Sequence, residues 1–360
     1  MNEILFAESA YKRLEANATL PAKFKRLLAQ LDLVKAVKGK KVCVKMHLGG
    51  NLGYTTIHPF FVRLLVEHLK NLSPKSLFVC DGNADKSDWR GYTPETLGCP
   101  IVGLFRKNHP KLQKIPIGFR HLDEALVSSE VLDADLLVVL SHVKGHGACG
   151  FGGACKNIAM GMVPSQTRGK IHSLEGGIDW DAKKCIHCGR CVKECPNKAN
   201  SFSKEGNFEI FYHNCTYCQH CILSCPVKAL RLTGQTFHDF QQGLALVTKA
   251  VFDRIGKQNM LFLNVLMNIT VFCDCWGMST PSLVPDIGIL ASRDIAAIER
   301  ASLDLIKTED LLRNGLPEGR KLGKGKHLFE KIHGKDPYLI TKLLEELELG
   351  SRDYTLETVA

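Results

Sequence analysis

Cysteines carry the most specific chemistry in this sequence. Two strings, CIHCGRCVKECP (185–196) and CTYCQHCILSCP (215–226), repeat one pattern of four cysteines and a proline. In this spacing three thiolates hold one [4Fe–4S] cubane, and the fourth reaches the other cluster. We therefore predict two [4Fe–4S] clusters. The ligands of the first are Cys185, Cys188, Cys191 and Cys225, and those of the second are Cys215, Cys218, Cys221 and Cys195.

Zinc and haem are the alternatives for these strings. A zinc ribbon uses two CxxC pairs, so the third cysteine of each string would have no role as a ligand. Haem attachment needs CxxCH, which the sequence lacks. The segment 179–235 resembles a bacterial-type ferredoxin with two clusters. Between the strings, SFSKEGNFEIFYH (201–213) alternates around a Gly-Asn turn, which predicts a small hairpin.

The charge of the cysteine-rich segment bears on its partner. Residues 181–235 hold eight Lys and Arg against four Asp and Glu. Carrier ferredoxins are usually acidic, so this segment is expected to dock an acidic electron carrier, a ferredoxin or a flavodoxin. The alternative is a basic insert in a protein that is basic throughout, since the net charge is +10.

A glycine-rich stretch, LSHVKGHGACGFGGACKNIAMGMVPS (140–165), follows an apolar strand. Ligands of α/β sheets bind beyond the carboxyl ends of strands, and glycines let backbone N–H groups approach an anion. We predict a pocket for an anionic substrate or cofactor; a tight crossover is the alternative. The expected proton donors are His142, Lys144 and His146, and the expected anion-binding residues are Gly152, Gly153, Lys156 and Asn157. His47 could line the same pocket, and Asp81, at a strand end, suits either binding or a turn cap.

A second cysteine group lies in CDCWG (273–277). Cys273 and Cys275 could offer two thiolates to one metal. With Cys149 and Cys155 they would form a four-thiolate third site, and with His142 or His146 a mixed one. The alternative is a buried pair of small residues.

Predicted strands and helices alternate along the chain. Apolar strands are expected at 40–47, 75–81, 133–142, 259–269 and 286–292. Helices are expected at 56–71, capped by Thr55 or Thr56, and at 121–131, 236–256 and 292–307, the last capped by Ser292.

This alternation predicts an α/β fold, a mainly parallel sheet with helices on both faces, interrupted by a small α+β ferredoxin-like domain. The expected division is 1–178 and 236–360 for the α/β domain and 179–235 for the insert. A separate C-terminal domain is the alternative.

Composition sets the remaining limits. The 360 residues are 45% hydrophobic, yet no apolar run is long enough for a membrane span and no signal peptide is recognised, which predicts a cytoplasmic protein without membrane contact. Fifteen cysteines in a reducing compartment favour metal over disulfides. No nucleic-acid recognition motif accompanies the positive charge, so no nucleic-acid partner is expected.

The stretches HVKGHGACGFGGACKN, CDC and PDIGILASRDIAAIERASLDLI resemble the signature segments of the "domain of unknown function 362" family. The resemblance implies an α/β fold and iron–sulfur clusters, without an agreed substrate. We expect an iron–sulfur redox protein that passes electrons to the pocket, as a possible oxidoreductase. A non-enzymatic electron relay or accessory subunit, and a metal- or cluster-handling protein, are the alternatives.

Overall fold

The computed structural model describes residues 2–50, 52–105, 111–195, 198–211, 215, 220–232, 237–277, 279–316 and 318–359. Of the predicted cluster ligands, Cys218 lies outside the described residues.

The strands of the described residues are β1 Asn2–Glu8, β2 Lys41–Lys45, β3 Ser76–Asp81, β4 Ile101–Gly103, β5 Leu112–Phe119, β6 Leu122–Ser128, β7 Leu136–His142, β8 Lys144–His146, β9 Gly150–Gly152, β10 Ile178–Trp180, β11 Asn200–Phe202, β12 Phe208–Ile210, β13 Leu230–Leu232, β14 Met260–Leu266, β15 Gly288–Ser292 and β16 Tyr354–Thr358.

Short and long helices separate these strands. The α-helices of the described residues are α1 Leu20–Gln30, α2 Val34–Val37, α3 Pro59–Asn71, α4 Pro94–Leu97, α5 Ser129–Leu132, α6 Ala154–Ala159, α7 Ser165–Ser173, α8 Arg190–Lys193, α9 His220–Leu223, α10 Phe237–Ile255, α11 Ile295–Asp304, α12 Leu328–His333 and α13 Leu339–Glu346. Among the helices that the structure describes, none is long and apolar enough to cross a bilayer.

Eight strands form one twisted sheet in the order β16-β1-β15-β14-β7-β2-β3-β4. The central and outer pairs from β14 to β4 run parallel, as do β1 and β16, whereas β15 runs antiparallel to both of its neighbours. The prediction of a mainly parallel α/β sheet is therefore confirmed.

Alternate residues of each central strand enter separate cores on the two faces. In β2, Val42 and Val44 pack in one core with α1 and α3, while Cys43 points into the other. The second core contains the apolar sides of α6, α10, α11 and α13. Strands buried on both faces explain the nearly continuous apolar runs that predicted them.

A small lobe, residues 178–232, lies between α7 and α10. Strands β10 and β13 pair antiparallel, and β11 and β12 form the hairpin predicted from the sequence. Its two halves repeat each other in detail. The backbone N–H of Ala199 donates to Cys195 Sγ, and that of Ala229 donates to Cys225 Sγ, both at 3.2 Å.

Three local predictions are wrong. Most of the segment 121–131 is strand β6, which pairs with β5. Leu122, Ala125 and Val127 are buried, and cross-strand pairing overrides the helical pattern of the segment. Helix α3 is capped by His58, whose ring accepts the N–H of Phe60, and not by Thr55 or Thr56. Helix α11 is capped by Asp294, whose carboxylate accepts the N–H of Ala297 at 2.9 Å, and not by Ser292.

Candidate functional site

The carboxyl ends of three parallel strands place polar residues at one edge of the sheet. Lys45 ends β2, Asp81 ends β3 and His142 ends β7. The loop after β14 brings Asp274 to the same edge, where it meets His142. This is the edge at which open α/β sheets bind ligands.

A first buried network joins β2, β3 and α6. Lys45 Nζ lies 3.0 Å from Asp81 Oδ1 and 2.8 Å from Asn157 Oδ1. His47 Nδ1 lies 2.8 Å from Asp81 Oδ2, which also accepts the N–H of Leu48. Burial by itself would raise the pKa of Asp81, but the charges of Lys45 and His47 hold it well below its usual range. Asp81 is therefore an anionic anchor for Lys45.

A second network surrounds Asp274. Its two oxygens lie 2.8 Å from His142 Nδ1 and 2.7 Å from Lys144 Nζ, and these two contacts hold the pKa of Asp274 low against the effect of burial. The other nitrogen of His142 contacts the carbonyl of Met267 at 2.6 Å. Lys144 also donates to the carbonyl and hydroxyl of Thr55. Burial lowers the pKa of both His142 and Lys144. His142 and Lys144 thus hold the loop that carries Asp274.

The start of α6, predicted to bind an external anion, receives a carboxyl group of the protein itself. Glu299, fully buried on α11, accepts the N–H of Cys155 at 2.9 Å through Oε1. Gly153 faces this carboxyl group, which leaves no space for a side chain there. Burial raises the pKa of Glu299 to about 7. Glu299 is not among the residues predicted from the sequence; its only local signal is an acid between Ile295 and Ser302 on the apolar face of α11.

The remaining predicted anion ligands also have partners within the protein. Asn157 donates to the carbonyl of Leu140 and the hydroxyl of Ser141, besides accepting from Lys45. Gly152 lies against the Cβ of Cys273. The glycine-rich stretch, which includes α6, therefore packs against the loop after β14.

Cys273 and Cys275 form a disulfide beside His146 and Lys156. Lys156 Nζ lies 3.2 Å from both sulfurs, and His146 Nε2 lies 3.5 Å from Cys275 Sγ. The ligand atoms of His146, Cys273 and Cys275 lie within 4.8 Å of one another, and among all the described residues, those of the small lobe included, this is the one group of three or more potential ligands that meets this spacing. The mixed grouping with His146 is therefore the one that the structure assembles.

Cys149 and Cys155 stand apart from this group. The sulfur of Cys155 contacts the hydroxyl of Thr248 on α10 at 3.2 Å. Burial raises the pKa of Cys149 to about 12 and raises that of Cys155 still further. Both behave as buried neutral thiols and are not brought to Cys273 and Cys275 as a four-thiolate set.

The small lobe encloses a cavity between its two halves. This cavity has a volume of about 20 Å³ and is lined by apolar side chains and by four cysteines. These cysteines are Cys185, Cys188, Cys191 and Cys225. They are the four that the spacing assigned to the first cluster. Burial, with other thiols nearby, raises the pKa of Cys191 to about 11.

Comparison with known proteins bears on the family. The sequence profile of the domain of unknown function (DUF362) matches residues 42–304, more than half of the chain. The chain belongs to the DUF362 family. No curated protein matches this DUF362 chain.

Two solved structures are similar to this DUF362 protein. One is the lactate racemase apoprotein from Thermoanaerobacterium thermosaccharolyticum, 13% identical, with 74% of this chain and 51% of that chain covered at a TM-score of 0.36. The other is a protein from Thermotoga maritima, also 13% identical, with 70% and 52% covered at a TM-score of 0.36. The chain spans about half the length of these structures, and at such TM-scores they carry no functional conclusion.

The DUF362 match covers the sheet edge and the small lobe together. It begins in β2, before Lys45, and ends in α11, after Glu299. Both cysteine strings and the Cys273–Cys275 pair therefore belong to the family region.

Proposed function

We propose that this protein is an iron–sulfur redox protein that receives single electrons in the small lobe and delivers them to the sheet-edge site. Two [4Fe–4S] clusters, bound to the cysteines of the two strings, would supply the electron-carrying chemistry. The observation that carries the proposal is the cavity lined by Cys185, Cys188, Cys191 and Cys225. Three of these cysteines come from the first string and the fourth from the second, as the spacing requires.

The lobe's own residues fit a cluster in two ways. Backbone N–H groups donate to the sulfurs of Cys195 and Cys225 at matching positions, and such bonds stabilise cluster thiolates. Apolar side chains, among them Phe202 and Leu230, line most of the cavity. For the second set, Cys195, Cys215 and Cys221 lie in or against the small lobe's core.

The surface next to the cavity favours an acidic electron donor. Cys188 and Ile186 line the cavity and are exposed, so this wall is thin. Lys183, Lys184 and Arg190 are exposed on either side of them in the chain. Such a positive rim would steer an acidic ferredoxin or flavodoxin to this wall, and the association would weaken as salt screens the charges.

Anaerobic purification followed by iron and acid-labile sulfide analysis tests the proposal. Two cubanes require about eight irons and eight sulfides per chain. Reduction with dithionite should give the electron paramagnetic resonance signal of reduced cubanes. Reduction by an acidic ferredoxin should slow as salt is added.

Two variants make the measurement specific. Cys188→Ser should lose iron and sulfide, whereas the matched variant Cys99→Ser, at a buried cysteine of the sheet domain, should keep both. A preparation that holds zinc and no sulfide would refute the proposal. Iron clearly above eight per chain would favour the metal-handling alternative, in which Cys273 and Cys275 also bind metal.

A further inference from the structure

The three buried or half-buried lysines of the sheet edge differ in their partners. Lys45 is paired with Asp81, and Lys144 is paired with Asp274. Lys156 has no carboxylate partner among the ion pairs of the described residues; its Nζ instead lies 3.2 Å from the sulfurs of Cys273 and Cys275. An ammonium in contact with sulfur favours the thiolate over the thiol.

His146 contributes a second donor, to the sulfur of Cys275 only. Its Nδ1 accepts the N–H groups of Ala148 at 3.1 Å and Cys149 at 3.0 Å, so this nitrogen carries a lone pair. In a neutral imidazole the proton is then on Nε2, the atom 3.5 Å from Cys275 Sγ. This tautomer follows from the hydrogen bonds. A nitrogen that carries a proton donates to sulfur and does not ligate a metal, which sets His146 against the metal interpretation.

Asp274 fixes the cysteine pair without adding charge to it. It lies between the two cysteines in sequence, and its carboxylate is bound by His142 and Lys144. The segment between the two cysteines is therefore held in place through Asp274 by the His142 ring and by Lys144.

The two sulfurs differ in access. Cys273 is 5% exposed and buried against Gly152, whereas Cys275 is partly exposed. Thiol–disulfide exchange proceeds by attack of an accessible thiolate, and a second thiol then resolves the mixed disulfide. The geometry fits Cys275 as the attacking residue and Cys273 as the resolving residue.

A second close cysteine pair provides an internal contrast. The sulfurs of Cys43 and Cys80 lie 3.3 Å apart on β2 and β3, but both residues are fully buried in the sheet. Burial raises the pKa of Cys43 well above its usual value. In both pairs the two sulfurs are close together. Only the 273–275 pair is also accessible to solvent, through Cys275, and contacted by two hydrogen-bond donors, Lys156 and His146.

We propose that Cys273 and Cys275 form a reversible two-electron dithiol–disulfide centre that reduces disulfide bonds of a substrate. Two electrons and one proton break the Cys273–Cys275 bond, giving the Cys275 thiolate and the Cys273 thiol. The thiolate attacks a substrate disulfide and releases one substrate thiolate. The Cys273 sulfur, losing its proton, then displaces the second substrate thiolate and restores the internal disulfide. The electrons come from the one-electron carriers of the proposed function or, in vitro, from a small dithiol.

An anaerobic redox titration of the full-length protein tests this centre. The protein is equilibrated in buffers with graded ratios of reduced to oxidised dithiothreitol, quenched with acid and alkylated, and the mass of the peptide containing residues 273–275 is measured. On reduction this peptide should gain two alkyl groups in one transition with a single midpoint potential, while the peptides containing Cys43 and Cys80 keep the same mass at all ratios.

The Lys156→Met variant should lower the equilibrium constant for reduction about tenfold, because a cation next to the thiolate is lost; this corresponds to about 30 mV for two electrons. Lys156→Arg should recover most of the shift. The matched control Lys249→Met, on the exposed side of α10, should leave the midpoint unchanged. Equal midpoints in Lys156→Met and Lys249→Met would refute the role of Lys156.

The Cys273→Ser variant should accumulate a stable mixed disulfide with oxidised glutathione at Cys275, and Cys275→Ser should form none. Absence of that adduct, or a stoichiometric metal bound by the reduced cysteine pair, would refute the proposed dithiol–disulfide centre. Iron and sulfide are measured on the same samples. Because the titration uses dithiothreitol, a cluster-free sample that still cycles would refute the proposed function and leave this inference standing.

Discussion

The α/β body and the small lobe are stabilised in different ways. The body has two extensive apolar cores, one on each face of an eight-stranded sheet. The described core of the small lobe consists of six buried residues, three of which are cysteines. Domains with so little apolar burial generally rely on metals or disulfides for stability. The body's stability thus comes from burial, whereas in the lobe the proposed clusters would add the cross-links that so small a core lacks.

Ion pairs repeat this contrast. In the body, Lys45 and Asp81 are buried and 3.0 Å apart. In the lobe, Arg231 and Asp179 are 2.6 Å apart, but the arginine side chain is 80% exposed. A short distance therefore says little by itself, because solvent screens the second pair and leaves the first unscreened.

The largest expected effect is loss of the lobe's structure when one of the proposed cluster ligands is removed. Cys191→Ser should abolish hydrogen-exchange protection across residues 178–232 and leave the sheet strands protected, because metal binding and folding are coupled in domains of this kind. Hydrogen exchange with mass spectrometry, on the variant and the intact protein, measures this. Cys99→Ser serves as the control with an ordinary core substitution. If the lobe of an iron-free variant keeps its protection from hydrogen exchange, the lobe does not depend on its cysteines' ligands for stability, and the proposed difference between the two regions is wrong.

A smaller effect is expected at the buried pair of the body. Asp81→Asn leaves the charge of Lys45 without its partner, which should lower the free energy of unfolding by about 3–5 kcal/mol. Urea denaturation followed by circular dichroism measures the change. Arg231→Ala, at the exposed pair of the lobe, should cost less than about 1 kcal/mol. Similar losses in the two variants would show that burial does not separate the pairs.

The smallest effect is a pH dependence confined to the body. Glu299 has its pKa raised by burial from 4.5 to about 7, so the folded state binds more protons than the unfolded state between these values. The free energy of unfolding should therefore fall as pH rises through this window, by up to about 3 kcal/mol. Glu299→Gln, whose amide oxygen can still accept the N–H of Cys155, should flatten this dependence.

Thermal unfolding of the sheet domain at pH 5 and pH 8, in the native protein and in Glu299→Gln, measures the difference. Glu205→Gln, at an exposed acid of the lobe, provides the control. An unchanged slope in Glu299→Gln would show that this carboxyl group is ionised throughout the window.

Periodicity predicted the parallel strands well because they are buried on both faces. It failed at 121–131, where pairing with β5 decides the structure. It also did not reveal that β1, at the start of the chain, lies between β15 and β16. Such pairings join segments that are far apart in sequence, and no local pattern records them.

At the candidate site, the residue types pointed to the functional residues, but the sequence did not show which of these residues contact one another. The sequence singled out Lys156, His146, Cys273 and Cys275, yet it could not tell which of these would meet. Glu299 was not predicted, because an acid on the apolar face of a helix carries no local signal of which group it faces.

The sequence alone determined the α/β class, the family resemblance and the sets of cysteines spaced for two clusters, because these depend on patterns within short segments. The tertiary structure decided that Glu299 occupies the glycine-rich turn and that Lys156 faces sulfur while Lys45 and Lys144 face carboxylates. The physical reason is that a buried charge takes its partner from whichever element packs against it, and that element comes from a distant part of the chain.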